Sequence, residues 1–577
     1  MLTDLLAGGA CQEKNDLSGV NMRTRWLLLG STLLALLCFP PQWYPETLRL
    51  QLAQWFGAAD YRALPRAKKV SETMAETPCP EDLLGWRDAQ TIAGVAIRRS
   101  ATCLADNPYA VAAFVRGTNN VSNQILMASG LTPDAVEKGR DLDGDGDPDE
   151  IHIRLEVAEL NGGSPDSKEA TTQYAIAPGI KPGFWVFVPK TFGMATENFE
   201  SLKARSILRL PSPAIRVEQG DRVQITLENS HYMPHTIHFH GVDHPFEDAD
   251  GEGNDGVPLT SEKPVMPGSA RTYDLQPRQP GTMFYHCHVQ PHVHIMMGLQ
   301  GLFVVEENRP NNWVQTLNIG AGHVRVPSVA VKEKYDREYD LQYLDIDADL
   351  NNIIQRFNDP RLITKEMHNR YDITDAKSDY FTLNGRSFPY TFRESLVIVR
   401  PNERIKLRIA NGGSIGVALH THGHKATVTH YDGVPVTPAA RITRDVVWIA
   451  SAQRVDLALD TTNDGLHSYG SGVWLFHDHQ GKGVTSDGIG PGGNISAIVY
   501  ESYLQENGWP QLQGVDFNQF FTAAYYRKEL PIWESYAGEL FSDVDIDFWM
   551  LMRLLGFATS LGISVALIIY SLRSRGS

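Results

Sequence analysis

Residues 284–301 read FYHCHVQPHVHIMMGLQG. Cys287 stands between His286 and His288, followed by His292, His294, Met296 and Met297. A lone thiolate with two imidazoles and a weak thioether is a donor set suited to blue copper. Most of the chain's 19 histidines fall in this stretch and in three others: HYMPHTIHFHG (231–241), LHTHGH (419–424) and FHDH (476–479). Each of the four carries an H-x-H pair: His238/His240, His286/His288, His420/His422 and His477/His479. On a strand, residues two apart share a face, so each pair offers two imidazoles to one side. A structural zinc closes with about four ligands. This set offers more donors than one such ion can use, so several metals are implied.

The elements that must hold these residues are β-strands. AIRVEQGDRVQITLENS (214–230) and VIVRPNERIKLRIANGG (397–413) share one pattern: strand, polar turn, strand, Asn-containing turn. Each copy runs on into two histidine clusters, which marks an internal repeat of one β-domain. Short strands between regular turn signals predict β-sandwiches. Apolar residues make up 42% of the 577, enough for a proper core, and 49 glycines and 33 prolines suit a loop-rich all-β chain. A net charge of −16 argues against nucleic acid as a partner.

Five cysteines are present. Cys11 and Cys38 lie in or before an apolar N-terminal segment; Cys79 and Cys103 can pair as one disulfide outside the cytoplasm. Cys287 is then left over, which calls for a reactive or metal-binding role. The stretch 22–39 has a basic start and a short apolar run, as in a signal-peptide core or thin anchor. Residues 554–572 are uncharged, long enough to span a bilayer, and followed by Arg573 and Arg575. Positive flanks at both ends favour the cytoplasmic side. The bulk of the chain is therefore expected at a cell membrane, on its periplasmic or extracellular side.

The expected organisation is a tail (1–22), a signal peptide or anchor (23–43), an extra region (44–151), a first β-domain (152–310), a second (311–505), a linker (506–547) and a membrane helix (548–573). Within the extra region, DLDGDGDPDEIHI places Asp141, Asp143, Asp145 and Asp149 around two glycines. Hard Ca²⁺ takes several oxygens from such a turn. A strand follows rather than a helix, and His152 stands where an EF-hand has Glu, so a structural calcium loop of the β-repeat kind is expected.

HTIHFHG, NDGVPLTSEKPVMPG, FYHCHVQPHVHIMMG, LHTHGH and WLFHDHQ together resemble the copper motifs of the multicopper oxidases. The resemblance covers about residues 152–503. It implies two cupredoxin-like Greek-key β-sandwiches, laccase-like chemistry with O₂ as acceptor, and about four copper ions per chain. The cysteine motif stands in the first domain, as in the family's two-domain members. Carried over motif by motif, His235, Cys287, His292 and Met297 bind type 1 copper. His238 and His420 bind type 2 copper. His240, His286, His288, His422, His477 and His479 bind the type 3 pair. Asp478 stands where a second cysteine would, so the second domain lacks a type 1 site. Asp255 matches an acid near the cluster that assists proton delivery. His231, His244, His294 and His424 are left as neighbours of the site. Two-domain relatives trimerise, so a homotrimer with clusters between chains is expected. The reductant is left open among phenols, metal ions and a redox protein. The alternatives are a copper nitrite reductase and a non-enzymatic copper or electron-transfer cupredoxin.

Overall fold

The computed structural model describes residues 135–144, 148–163, 173–190, 208–308, 335–506, 508–514 and 517–527, the helix 548–573, and short pieces at 26–27, 30–31, 90–92, 95–97, 317–318 and 322–323. Cys11, Cys38, Cys79, Cys103 and Asp145 lie outside the described residues.

The chain divides into two units, residues 60–526 and the two termini together. Among its described residues, unit 60–526 is built mostly of strands, with a few short helices. In its first half, one sheet runs β1 (Val136–Lys138), β2 (Glu150–Leu160), β5 (Arg222–Glu228) and β7 (Ala270–Leu275), with β3 (Phe184–Pro189) also on β2. The facing sheet runs β4 (Ala214–Glu218), β9 (Gln300–Glu306), β8 (Gly281–His286) and β6 (His238–His240). The second half repeats the plan. Its first sheet orders β10 (Arg337–Ile346), β13 (Arg404–Asn411), β17 (Arg454–Asp460) and β15 (Ala426–Tyr431), with β11 (Tyr380–Leu383) on β10. Its second orders β12 (Val397–Val399), β19 (Ser496–Tyr500), β18 (Val473–Asp478), β14 (Val417–Thr421) and β16 (Val446–Ile449). The parallel pair β2·β5 recurs as β10·β13, and β9·β4 recurs as β19·β12. The two repeated sequences thus fill the same places in two sandwiches.

Alternation explains each core. In β7 and β5 every second residue points inward, and Ile225, Leu227, Tyr273 and Leu275 join one apolar cluster with Cys287. β3 is buried on both faces. Trp185 and Phe187 enter the first core, while Phe184, Val186 and Val188 pack with Leu344 and Ile346 of the second half. Buried charge also joins the halves. Arg216 on β4 pairs with Glu306 (2.9 Å) and Asp340 (2.5 Å), and Arg408 on β13 pairs with Glu306, Glu338 and Asp456.

β1 and the acidic loop belong to the first sheet: Val136 pairs Ile153 and Lys138 pairs Ile151. The sandwich therefore starts before residue 152, because β1 completes the hydrogen bonding along the outer edge of β2. Between β10 and β11 the second half inserts short helices, among them α2 (Pro360–Thr364) and a π-helix over Lys365–Arg370. In the terminal unit, helix α3 (Phe548–Arg573) includes Leu551–Ile569, long and apolar enough to cross a membrane. Ser31 and Ser564 there meet oxygen to oxygen at 2.7 Å.

Candidate metal centres

Cys287 follows the last residue of β8, and strand alternation continues through it. Its side chain turns into the first sandwich and is fully buried, while His286 and His288 turn to the other face with their rings stacked at 5.6 Å. One residue's width of backbone therefore separates two distinct donor sets.

On the inner side, Cys287 Sγ lies 3.7 Å from His235 Nδ1 and 3.3 Å from His294 Nδ1. The three donor atoms all lie within 4.8 Å of one another. Burial pushes the Cys287 thiol up to about 12 and holds both imidazoles well below their ordinary range. The bare pocket thus favours a neutral thiol and neutral imidazoles, and a cation that displaces the thiol proton satisfies all three donors at once.

His294 takes the place expected of His292, which is exposed. The cause is local. Gln290 adopts a left-handed conformation (φ 46°), and Pro291–His294 then form a helical turn, α1. Residues two apart on a helix point about 200° apart, so only one of the two imidazoles can enter the core. Met297 is fully buried in the same apolar cluster, together with Met296 and Leu299.

Both imidazoles are backed by another. His235 Nε2 lies 2.8 Å from His231 Nδ1, and His294 Nε2 lies 3.2 Å from His368 Nε2. Trp185 stands edge-on to His231, His235 and His294, with its indole N–H donating to Glu159 at 3.0 Å. His231 was legible as a neighbour of the site. His368 belongs to no histidine cluster, and nothing in its surrounding sequence points to it.

On the outer side, His238 contacts His240, His286 and His288 at ring separations of 5.2, 5.5 and 5.4 Å. Register produces this: on β6 and β8, His238 pairs with His286 and His240 with Phe284. The second half builds the same group. His420 contacts His422, His477 and His479 at 4.7, 5.7 and 5.4 Å, with His420 paired to His477 across β14 and β18. Among the described residues no imidazole contact joins one quartet to the other.

The hydrogen bonds orient these rings for metal. Nδ1 of His238, His286, His420 and His477 donates to the carbonyls of Asp255 (2.7 Å), Cys287 (2.9 Å), Asp445 (3.0 Å) and Asp478 (3.0 Å). A carbonyl can only accept, so each Nδ1 carries the proton and each Nε2 keeps a lone pair. Two of those nitrogens each meet a neighbouring ring: His286 Nε2 lies 2.9 Å from His240 Nε2, and His477 Nε2 lies 3.2 Å from His422 Nε2. Burial lowers His286 to about 3 and His240 to about 4, keeping both neutral at ordinary pH. This is the arrangement that ligating histidines need. His424 differs: its nitrogens are taken by His422 O and Tyr500 Oη.

The Asp255 carboxylate lies 3.2 Å from both His238 Nδ1 and His244 Nε2. Asp478, the counterpart of Cys287, is buried and accepts from the backbone N–H of Ala418 and Gln480. In the acidic loop, carboxylate oxygens of Asp141, Asp143 and Asp149 lie within 4.8 Å of one another.

Parts of the chain are similar to known proteins. Two multicopper oxidase family models match residues 208–310 and 362–485. The iron transport multicopper oxidase FET3 of Saccharomyces cerevisiae is 27% identical over 288 residues, 48% of this chain and 37% of that protein. Copper resistance protein A of Pseudomonas syringae pv. tomato is 25% identical over 267 residues, 44% of this chain and 42% of that protein. The chain thus spans less than half the length of these curated relatives. A solved blue copper oxidase from Nitrosomonas europaea superposes with a TM-score of 0.44 at 23% identity, covering 66% of this chain and 94% of that one. Two segments of the chain, residues 208–310 and 362–485, thus match multicopper oxidase domains, and they carry a thiolate–imidazole pocket placed back to back with an imidazole quartet.

Proposed function

We propose that this chain takes single electrons from a reductant at the Cys287 pocket and delivers them to O₂ at a trinuclear centre built from the two quartets. The observation that carries this is the position of Cys287 between His286 and His288, facing the opposite way from both. Copper held at these donors supplies the one-electron chemistry and the four-electron, four-proton conversion of O₂ to two waters. His235, Cys287 and His294 hold the entry site in a pocket closed to solvent, and the peptide groups flanking Cys287 link it to His286 and His288. The carbonyls on Nδ1 keep His238, His286, His420 and His477 in their metal-binding tautomer. Asp255, half-buried against His238 and His244, is placed to pass protons toward the quartet.

Each sandwich holds only half of such a centre. We infer a homotrimer in which one chain's His238, His240, His286 and His288 face the partner's set of the kind formed by His420, His422, His477 and His479. Exposed Trp448, Val446 and Leu475 border the second quartet and offer apolar surface for that contact. Helix α3 serves as the membrane tether, with the sandwiches on the periplasmic or extracellular side. The Ser31–Ser564 contact favours a retained N-terminal anchor packed on it. Asp141, Asp143 and Asp149 serve as a structural calcium site, read out as a rise in thermal midpoint on adding Ca²⁺.

Copper analysis of the solubilised protein tests the central reading. About four copper ions per chain are expected. Two would favour a nitrite reductase and one a carrier, and either result overturns the oxidase assignment. A copper-loaded, active monomer by sedimentation overturns the trimer.

A further inference from the structure

Each imidazole beside Cys287 has its outer nitrogen covered by a further imidazole, but the two covers lead to different places. His235 backs onto His231, which is itself buried and points its Nε2 toward Glu159 at 3.8 Å. His294 is 0% exposed, so no reductant can touch it. Its Nε2 meets His368 Nε2 at 3.2 Å, with ring centroids 5.3 Å apart and planes tilted by 34°. His368 is only partly buried. It lies on the π-helix Lys365–Arg370, between Met367, sealed in the first sandwich's core, and Asn369, exposed. A helix of the second half thus lays one partly exposed imidazole directly against the buried imidazole of the Cys287 pocket.

The protons constrain this contact. A metal on His294 Nδ1 leaves Nε2 protonated and donating. His368 must then accept through Nε2 and carry its own proton on Nδ1. The pair becomes a directed hydrogen bond with one partner on the metal side and the other at the surface.

We infer that His368 is the electron-entry residue of this chain. An outer-sphere one-electron reductant docks at the partly exposed His368 imidazole and is oxidised by one electron. That electron crosses the His368–His294 contact to the Cys287 centre, which is reduced by one. No covalent bond forms or breaks, and both imidazoles keep their protons. This rests on the oxidase reading above and adds to it the place where reductant meets protein. His292 is close to the same surface, but α1 turns it away from the pocket.

The test uses the copper-loaded full chain and its variants H368F, H368A and H292A. The probe is hexaammineruthenium(II), a substitution-inert reductant, mixed anaerobically while the blue absorption is followed. In H368F loaded with excess copper, the copper count and type 1 EPR signal are expected to stay those of the parent although copper affinity falls, while bleaching, compared at matched driving force, slows at least about tenfold. Added free imidazole is expected to restore part of the rate in H368A, and H292A is expected to bleach at the parental rate. Parental bleaching in H368F with an unchanged EPR signal overturns the inference. So does a slowing accounted for wholly by a shifted potential, which would make His368 a tuning residue only. A parent protein with no blue band at all overturns the oxidase reading first, and this inference with it.

Discussion

His292 and His294 make opposite demands on the same experiment. His294→Ala removes one of the three donors grouped with Cys287, a fully buried ring whose Nδ1 lies 3.3 Å from Sγ. Truncating a large buried side chain to Ala costs about 2–5 kcal/mol in the copper-free protein, with a further 1–3 kcal/mol if the His368 nitrogen loses its partner in a buried setting. The larger loss is in metal affinity. Removing even a residue that only supports a ligand weakens metal binding about 10–100-fold. Loss of the ligand itself should therefore cost at least about 100-fold, or roughly 2.7 kcal/mol of copper-dependent stabilisation. His292→Ala, on an exposed face of α1, should cost under about 0.5 kcal/mol and leave copper affinity unchanged. The assay is denaturant unfolding with and without copper, alongside the blue absorption. If His292→Ala loses the blue band while His294→Ala keeps it, α1 does not turn as described and the assignment of His294 is wrong.

Cys287→Ser should abolish both the blue colour and reductant oxidation while the quartet coppers stay bound; surviving turnover would mean that electrons enter elsewhere. Met297→Leu should raise the midpoint potential of the blue site, since a weak axial ligand tunes it; an unchanged potential in a redox titration removes Met297 from the ligand set. Asp340→Ala leaves Arg216, itself 1% exposed, short of its closest partner and should destabilise by about 3–5 kcal/mol in urea unfolding; a loss below 1 kcal/mol would mean that Glu306 and Glu338 suffice. The copper-free protein should also weaken in mild acid. His286 and His240 titrate near 3 and 4 in the fold against 6.5 when free, so between those values the unfolded chain binds more protons. Stability is then full above about pH 6.5 and falls as pH drops toward 3; a flat profile of urea midpoint against pH over that window would falsify the neutral, convergent quartet.

Much of the site is local enough to be written in the chain. A histidine on each side of a cysteine in a strand forces the thiol to one face and both imidazoles to the other, whatever surrounds them. The same alternation makes His238/His240, His420/His422 and His477/His479 into paired donors, and the repeated strand–turn–strand pattern implies two similar scaffolds to carry them. The apolar stretch near the C-terminus likewise announces a long helix by length alone. Where the period changed, the sequence stopped being a guide. Past Gln290 the backbone leaves the strand for a helical turn, and a spacing counted along the chain gives way to a rotation about an axis. That is why His294, not His292, reaches Cys287. His368 is further still from legibility, 74 residues from the imidazole it touches. Only the packing of an inserted helix from the second sandwich onto the first brings those two rings together. A contact of that kind depends on how two separately built cores meet, and no short-range pattern of residues records it.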